Sequence, residues 1–194
     1  MTVAAFFDRD GVVNELVPDP RSGVPESPLD PVNVVLVEGA SAALARLRDA
    51  GFLLVGVSNQ PAAAKGIVSL DALARVQARV LALLREDGVE PDAFRICHHH
   101  PDGVVPELSG PCACRKPASG MLLDAAGELG VELSRSWMIG DTDADVVAGG
   151  GAGCHTALVE NPASAHKRSD GVRPELRAAT LRAVVERILV LDKR

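Results

Sequence analysis

Five short, mostly apolar segments, at residues 3–7, 52–57, 93–96, 137–139 and 156–159, recur along this chain with longer stretches of helical patterning between them. Apolar runs of that length suit strands buried on both faces, and strands separated by helices join into a parallel sheet through right-handed crossovers. The alternation predicts an α/β fold, a doubly wound parallel sheet of the Rossmann-like kind with helices on both faces. Residues 41–50 carry Ala42, Ala43, Leu44 and Leu47 at helical spacing and stop at Gly51, a frequent residue just past a helix end. Ser69 can cap a helix in which Leu70, Leu73, Val76, Val80, Leu81 and Leu84 form one apolar stripe, ending near Gly88. Further helices are expected at 119–129, near Ala144, and over 174–191. Residues 14–33 contain Pro18, Pro20, Pro25, Pro28 and Pro31, too many for a helix or a central strand, so an irregular surface loop is expected there.

With 194 residues and 47% hydrophobic content, one domain over 1–194 is expected; aromatics are only 3%, so its core must be aliphatic. A net charge of -6 without a clustered basic face argues against a nucleic-acid protein. No apolar run approaches the roughly 20 residues of a membrane span, and the first residues lack the pattern of a leader, so a soluble, cytoplasmic protein without membrane partners is expected.

In sheets of this kind ligands bind beyond the carboxyl ends of the strands. The residues that follow the runs are Asp8-Arg9-Asp10-Gly11, Ser58-Asn59-Gln60, and Gly140-Asp141-Thr142-Asp143-Ala144-Asp145, with Arg115-Lys116-Pro117 after a polar stretch. Asp8, Asp10 and Asp141 converging on one point would form a hard oxygen site whose charge requires a cation, and Mg2+ is the expected occupant. Ser58, Asn59 and Lys116 are suited to hold the phosphoryl oxygens of a small phosphorylated substrate. Asp8 is then the candidate nucleophile and Asp10 the acid that protonates the leaving oxygen and later activates water.

These four segments, in this order, resemble the signature motifs of the haloacid dehalogenase superfamily of phosphatases. The resemblance covers essentially the whole chain. It implies an aspartyl-phosphate on Asp8, acid/base work by Asp10 with its main-chain carbonyl on magnesium, Asp141 as a metal ligand, and Asp145 as an outer partner.

A second cluster reads Cys97-His98-His99-His100-Pro101, then Cys112-Ala113-Cys114. Thiolates and imidazoles from the two ends of one loop suit tetrahedral zinc. The spacing is similar to that of the branch holding heptose-1,7-bisphosphate 7-phosphatases and histidinol-phosphate phosphatases. Carried over by position, the resemblance implies Cys97, His99, Cys112 and Cys114 as ligands of a structural Zn2+, with His98 or His100 as possible substitutes, and a loop that aims Arg115 and Lys116 into the site. Cys154 reads as a small core residue. No insertion has the length of a lid domain, so a capless, open site is expected, walled by the zinc loop, residues 61–66 and the Pro-rich loop, with Lys65, Arg9 and Arg115 as candidate cations for substrate anions. The sequence departs from the heptose branch at Thr142, where a basic residue is common, at Pro61-Ala62 in place of Ser-Gly, and in the length of the 14–33 loop. The resemblance implies a sugar phosphatase of the heptose bisphosphate type, with histidinol phosphate as the alternative substrate, and a monomer, as capless members often are. A zinc-stabilised binding module without turnover is the reading from another class, and it predicts a missing nucleophile; Asp8, Asp10, Lys116 and Asp141 are all present.

Overall fold

Alternate residues of the first apolar run face opposite sides of a sheet, and both sides are buried. This run is β1 (Val3–Phe7) in the computed structural model, which describes residues 2–192. The elements that follow are β2 (Val17–Pro18), β3 (Pro25–Glu26), α1 (Ala40–Asp49), β4 (Phe52–Asn59), α2 (Leu70–Glu86) and β5 (Ala93–Cys97). Then come α3 (Gly120–Leu129), β6 (Trp137–Gly140), α4 (Asp143–Ala152), β7 (His155–Val159), β8 (Leu176–Ala178) and α5 (Leu181–Leu191). Six strands pair in the order β5-β4-β1-β6-β7-β8, every pair parallel.

Ala5 and Phe7 point into one core with Leu54, Ile139 and the inner faces of α1, α2 and α5. Ala4 and Phe6 point into the other with Val55, Val57, Met138 and the inner faces of α3 and α4. Full burial of side chains of this size is worth about 1.5–3 kcal/mol each, and Phe7 adds an edge-to-face contact with Phe94 at 6.0 Å between ring centres. β1 lies between β4 and β6, in register Phe7 to Gly56 and Phe7 to Ile139. The chain leaves β1 toward β4 and β5, then returns to β6 on the other side, so β1 and β6 flank the point where the winding reverses. That is where α/β sheets open a crevice for ligands.

Three expectations need correction. The stretch over 174–191 is not one helix: Leu176–Ala178 adds a sixth strand beside β7, and α5 begins only after Thr180, whose hydroxyl caps it by accepting from the Ala183 amide. Leu70 is exposed and stands outside the α2 stripe: it is the first residue of the helix, directly after the Ser69 cap, and the buried side begins at Leu73. The Pro-rich segment is irregular as expected, but it folds back as a small antiparallel flap of β2 and β3, and Asn14 at its root is wholly buried. Among the described residues no helix is long and apolar enough to cross a membrane.

Candidate active site and metal centres

β1 ends at Phe7, one residue before Asp8, and its neighbour β6 ends at Gly140, one residue before Asp141. Parallel pairing of the two strands brings the carboxylates together, and oxygens of Asp8, Asp141 and Asp145 lie within 4.8 Å of one another. A Cβ on Gly11 would stand 2.2 Å from Asp141 Oδ2, so only glycine lets the loop after β1 close over that carboxylate, and its φ of 83° suits glycine as well. A Cβ on Gly140 would likewise meet Asp145 at 2.1 Å.

One cation answers this charge directly. Lys116, almost wholly buried, donates to Asp145 Oδ1 at 2.5 Å and to the Val57 carbonyl at 2.8 Å, and stands 3.0 Å from Asp8 Oδ1. Burial pushes its ammonium down, but Asp145 and Asp8 outweigh this and hold it above the usual lysine range. Burial also raises Asp8, with Lys116 opposing and Asp145 and Asp10 adding to the rise. Asp141 is raised too, by burial first and then by the charges of Asp8 and Asp145.

The arrangement fits a divalent cation. Asp145 is committed, with Oδ1 on Lys116 and Oδ2 accepting from the Thr142 amide at 3.1 Å and hydroxyl at 2.7 Å as it caps α4. Asp141 Oδ1 is buried without a hydrogen-bond partner, and a buried orphaned carboxylate oxygen is costly unless a cation meets it. Asp8 Oδ1 faces Lys116 and accepts from the Arg9 amide at 2.7 Å, which leaves its other oxygen.

Asp10 is held differently. It accepts from Arg9 Nη2 at 3.0 Å, Asn14 Nδ2 at 2.9 Å and Ser27 Oγ at 2.9 Å, with Gln60 Nε2 also on Oδ2. Burial alone would raise this carboxyl, but the Arg9 guanidinium and the surrounding donors hold it below the usual carboxylate range. Arg9 is therefore not a substrate-facing cation: it is fully buried, and its other arm donates to Gln77 Oε1 at 3.1 Å on α2. Gln77 sits inside the apolar face of α2, a polar residue in a buried stripe, and that was the available sequence signal for this cage. Asn14, four residues after Asp10, was another.

Of the expected phosphate-holding residues, Ser58 is buried beside the site and its hydroxyl accepts from Gln60 Nε2 at 2.9 Å. The Asn59 carboxamide turns to the backbone of Lys116, donating to its carbonyl at 2.9 Å and accepting from its amide at 3.0 Å. Asn59 thus fastens the end of β4 to the lysine loop. Arg115 donates to the His99 carbonyl at 3.3 Å and lines the cleft above Asp8. That cleft measures about 420 Å³ and is walled by Lys65, Arg115, the flap residues Glu26 and Ser27, and Lys167.

The donor atoms of Cys97, His99, Cys112 and Cys114 lie together. Sγ of Cys97 is 3.7 Å from Cys112 and 2.9 Å from Cys114, Cys112 and Cys114 are 3.5 Å apart, and His99 Nδ1 stands 3.8 Å from Cys97 and 3.5 Å from Cys114. A tetrahedral zinc with bonds of about 2.3 Å to sulfur and 2.0–2.1 Å to nitrogen requires S···S near 3.8 Å and S···N near 3.6 Å. Most of the spacings match, so the donors fit the ion. His98 and His100 do not join: His98 Nδ1 contacts the Gln60 carbonyl at 3.1 Å and His100 Nδ1 accepts from the Asp102 amide. Cys154 is buried in the second core, and burial pushes its thiol up to about 12.

Comparison with known proteins gives a consistent picture. The family model described as HAD-hydrolase-like matches residues 113–184. The D-glycero-beta-D-manno-heptose-1,7-bisphosphate 7-phosphatase of Mesorhizobium japonicum is 36% identical over 88% of this chain and 75% of that protein. The protein of the same description from Yersinia pestis is 38% identical over 75% of this chain and 73% of its own length. Among solved structures, the D,D-heptose 1,7-bisphosphate phosphatase from B. bronchiseptica, complexed with magnesium and phosphate, superposes with a TM-score of 0.79 at 29% identity, covering 98% of this chain and 99% of that one.

Proposed function

The chain belongs to the haloacid dehalogenase-like hydrolases and is a phosphatase, and from that premise we propose that it removes the 7-phosphate of a D-glycero-D-manno-heptose 1,7-bisphosphate. The relatives just described support the substrate. The observation that carries the chemistry is Lys116 Nζ bridging Asp8 and Asp145 beside the unpartnered oxygen of Asp141.

An Asp8 oxygen attacks phosphorus, the bond from phosphorus to the sugar oxygen breaks, and Asp10 gives that oxygen a proton. Water then attacks the phosphoaspartate, its proton passes to Asp10, and the bond from phosphorus to Asp8 breaks to release inorganic phosphate. The Arg9 guanidinium and the other donors hold the Asp10 carboxyl below the usual range in the free protein, and a phosphate dianion beside it raises its proton affinity, so Asp10 takes up a proton from water as substrate binds. Lys116 keeps Asp8 close to the attack position while compensating its charge. Ser58, Arg115 and the main chain around Asn59 hold the phosphoryl oxygens. Mg2+ held by Asp8, Asp141 and the main-chain carbonyl of Asp10 would supply the positive charge that lets an anionic nucleophile meet an anionic phosphate. Zn2+ on Cys97, His99, Cys112 and Cys114, with no position left open, would fix the loop that carries Arg115 and Lys116. Thiolates that must stay reduced to hold Zn2+ suit a reducing compartment, the cytoplasm.

The test is phosphate release in magnesium from heptose 1,7-bisphosphate, histidinol phosphate and simple sugar phosphates, compared by kcat/KM. The bisphosphate is expected to lead, and Asp8→Asn to abolish turnover with the fold intact. A lead for histidinol phosphate would refute the substrate, and retained turnover in the Asp8→Asn protein would refute the mechanism.

A further inference from the structure

The turn after β7 touches the loop after β1, the loop after β6 and the flap. Asn161 Nδ2 donates to the Gly11 carbonyl at 3.0 Å, and the fully buried Ser164 donates to the Asp141 carbonyl at 3.2 Å. Arg168 Nη1 reaches the same carbonyl at 3.1 Å, and Ser169 Oγ donates to Asp143 Oδ2 at 2.7 Å. Lys167 lies between the two residues that grip Asp141. Its ammonium crosses the cleft to Glu26 Oε2 at 2.8 Å, and the next flap residue, Ser27, donates to Asp10. The Lys167–Glu26 bridge therefore spans the cleft from the wall anchored on Asp141 to the wall anchored on Asp10.

We propose that Lys167 is a specificity-determining residue whose ammonium, held on Glu26 in the free protein, takes a second anionic group of the substrate, remote from the phosphoryl group at Asp8. The inference rests on the bisphosphate reading above. Lys116 cannot serve this purpose, because its donors are occupied by Asp8, Asp145 and Val57. Lys167 and Glu26 are 32% and 46% exposed in their side chains, so water screens their pairing and it is weak. A phosphate dianion brings more charge and more acceptor oxygens than the Glu26 carboxylate, so it can displace Glu26, which returns to water.

The experiment compares kcat and KM of the full-length wild type, Lys167→Ala, Lys167→Arg and Glu26→Gln on heptose 1,7-bisphosphate and on p-nitrophenyl phosphate, which has no second anion. Lys167→Ala should lose about ten-fold more kcat/KM on the bisphosphate than on the aryl phosphate, through KM, as expected for one charge-assisted contact. Lys167→Arg should recover most of the loss. Glu26→Gln, which frees the ammonium, should lower KM for the bisphosphate; a rise matching that of Lys167→Ala would show that the bridge itself is what matters and overturn the assignment. Wild-type protein that cleaves the aryl phosphate without preferring the bisphosphate overturns the substrate reading. A preference that survives Lys167→Ala overturns only the role of Lys167.

Discussion

Replacing Lys116 by Met removes the buried ammonium set against the converging carboxylates of Asp8, Asp141 and Asp145 while keeping the length of the side chain. At an effective dielectric near 20, an ammonium 3.0 Å from Asp8 and 2.5 Å from Asp145 gains roughly 6 kcal/mol from each pair before desolvation. Burying the lysine consumes most of that gain. Removing one partner of a buried pair nevertheless costs about 3–5 kcal/mol, because the remaining charges stay buried without compensation. Lys116→Met should therefore lose about 3–5 kcal/mol of unfolding free energy when no magnesium is added, and visibly less in saturating magnesium. Adding Asp145→Asn removes one orphaned charge, so the double variant should recover at least about 1 kcal/mol relative to the sum of the single losses. Urea unfolding followed by the fluorescence of Trp137, the single tryptophan and a buried one, reads all four proteins. A loss below about 1 kcal/mol, or strict additivity in the cycle, would refute the charge balance drawn here.

Two further outcomes follow from the same geometry. Gly11→Ala should raise the magnesium concentration needed for half-maximal activity at least about ten-fold and cost more than about 1 kcal/mol of stability, because the new Cβ would stand 2.2 Å from Asp141 Oδ2 at a φ of 83°; an unchanged magnesium titration would count against Asp141 as a ligand. Cys112→Ser should leave the protein with less than one zinc by elemental analysis and a lower Tm, with new proteolysis inside 97–114, since three ligands hold the ion and the loop less firmly; full zinc content would remove Cys112 from the ligand set.

The sheet was legible because the strands on either side of its centre, β1, β4 and β6, begin as or consist of continuous apolar runs, and a strand buried on both faces has to look like that. β8 was missed for the converse reason: at three residues beside the sheet edge, Leu176–Ala178 is too short for periodicity and borders a helix with a strong pattern of its own. The acidic and basic members of the site were legible because chemistry demands particular side chains at strand ends. Arg9 was misread, since a cation next to two aspartates looks like a substrate contact, and only the packing of Gln77 on α2 shows it turned inward. The supporting turn after β7 gave almost no signal. Ser164, Arg168 and Asn161 act on main-chain carbonyls, and a carbonyl accepts from any donor that the fold brings near, so no residue type at a fixed spacing announces the contact. The same reasoning bears on where substrate choice resides. Groups that bond the transferring phosphoryl are fixed by its chemistry and sit on rigid strand ends. On the bisphosphate reading the rest of the substrate would meet the flap and the turn after β7, which the half-exposed Lys167–Glu26 pair joins across the cleft, so specificity could drift there through single substitutions while Asp8, Lys116 and Asp141 stay in place.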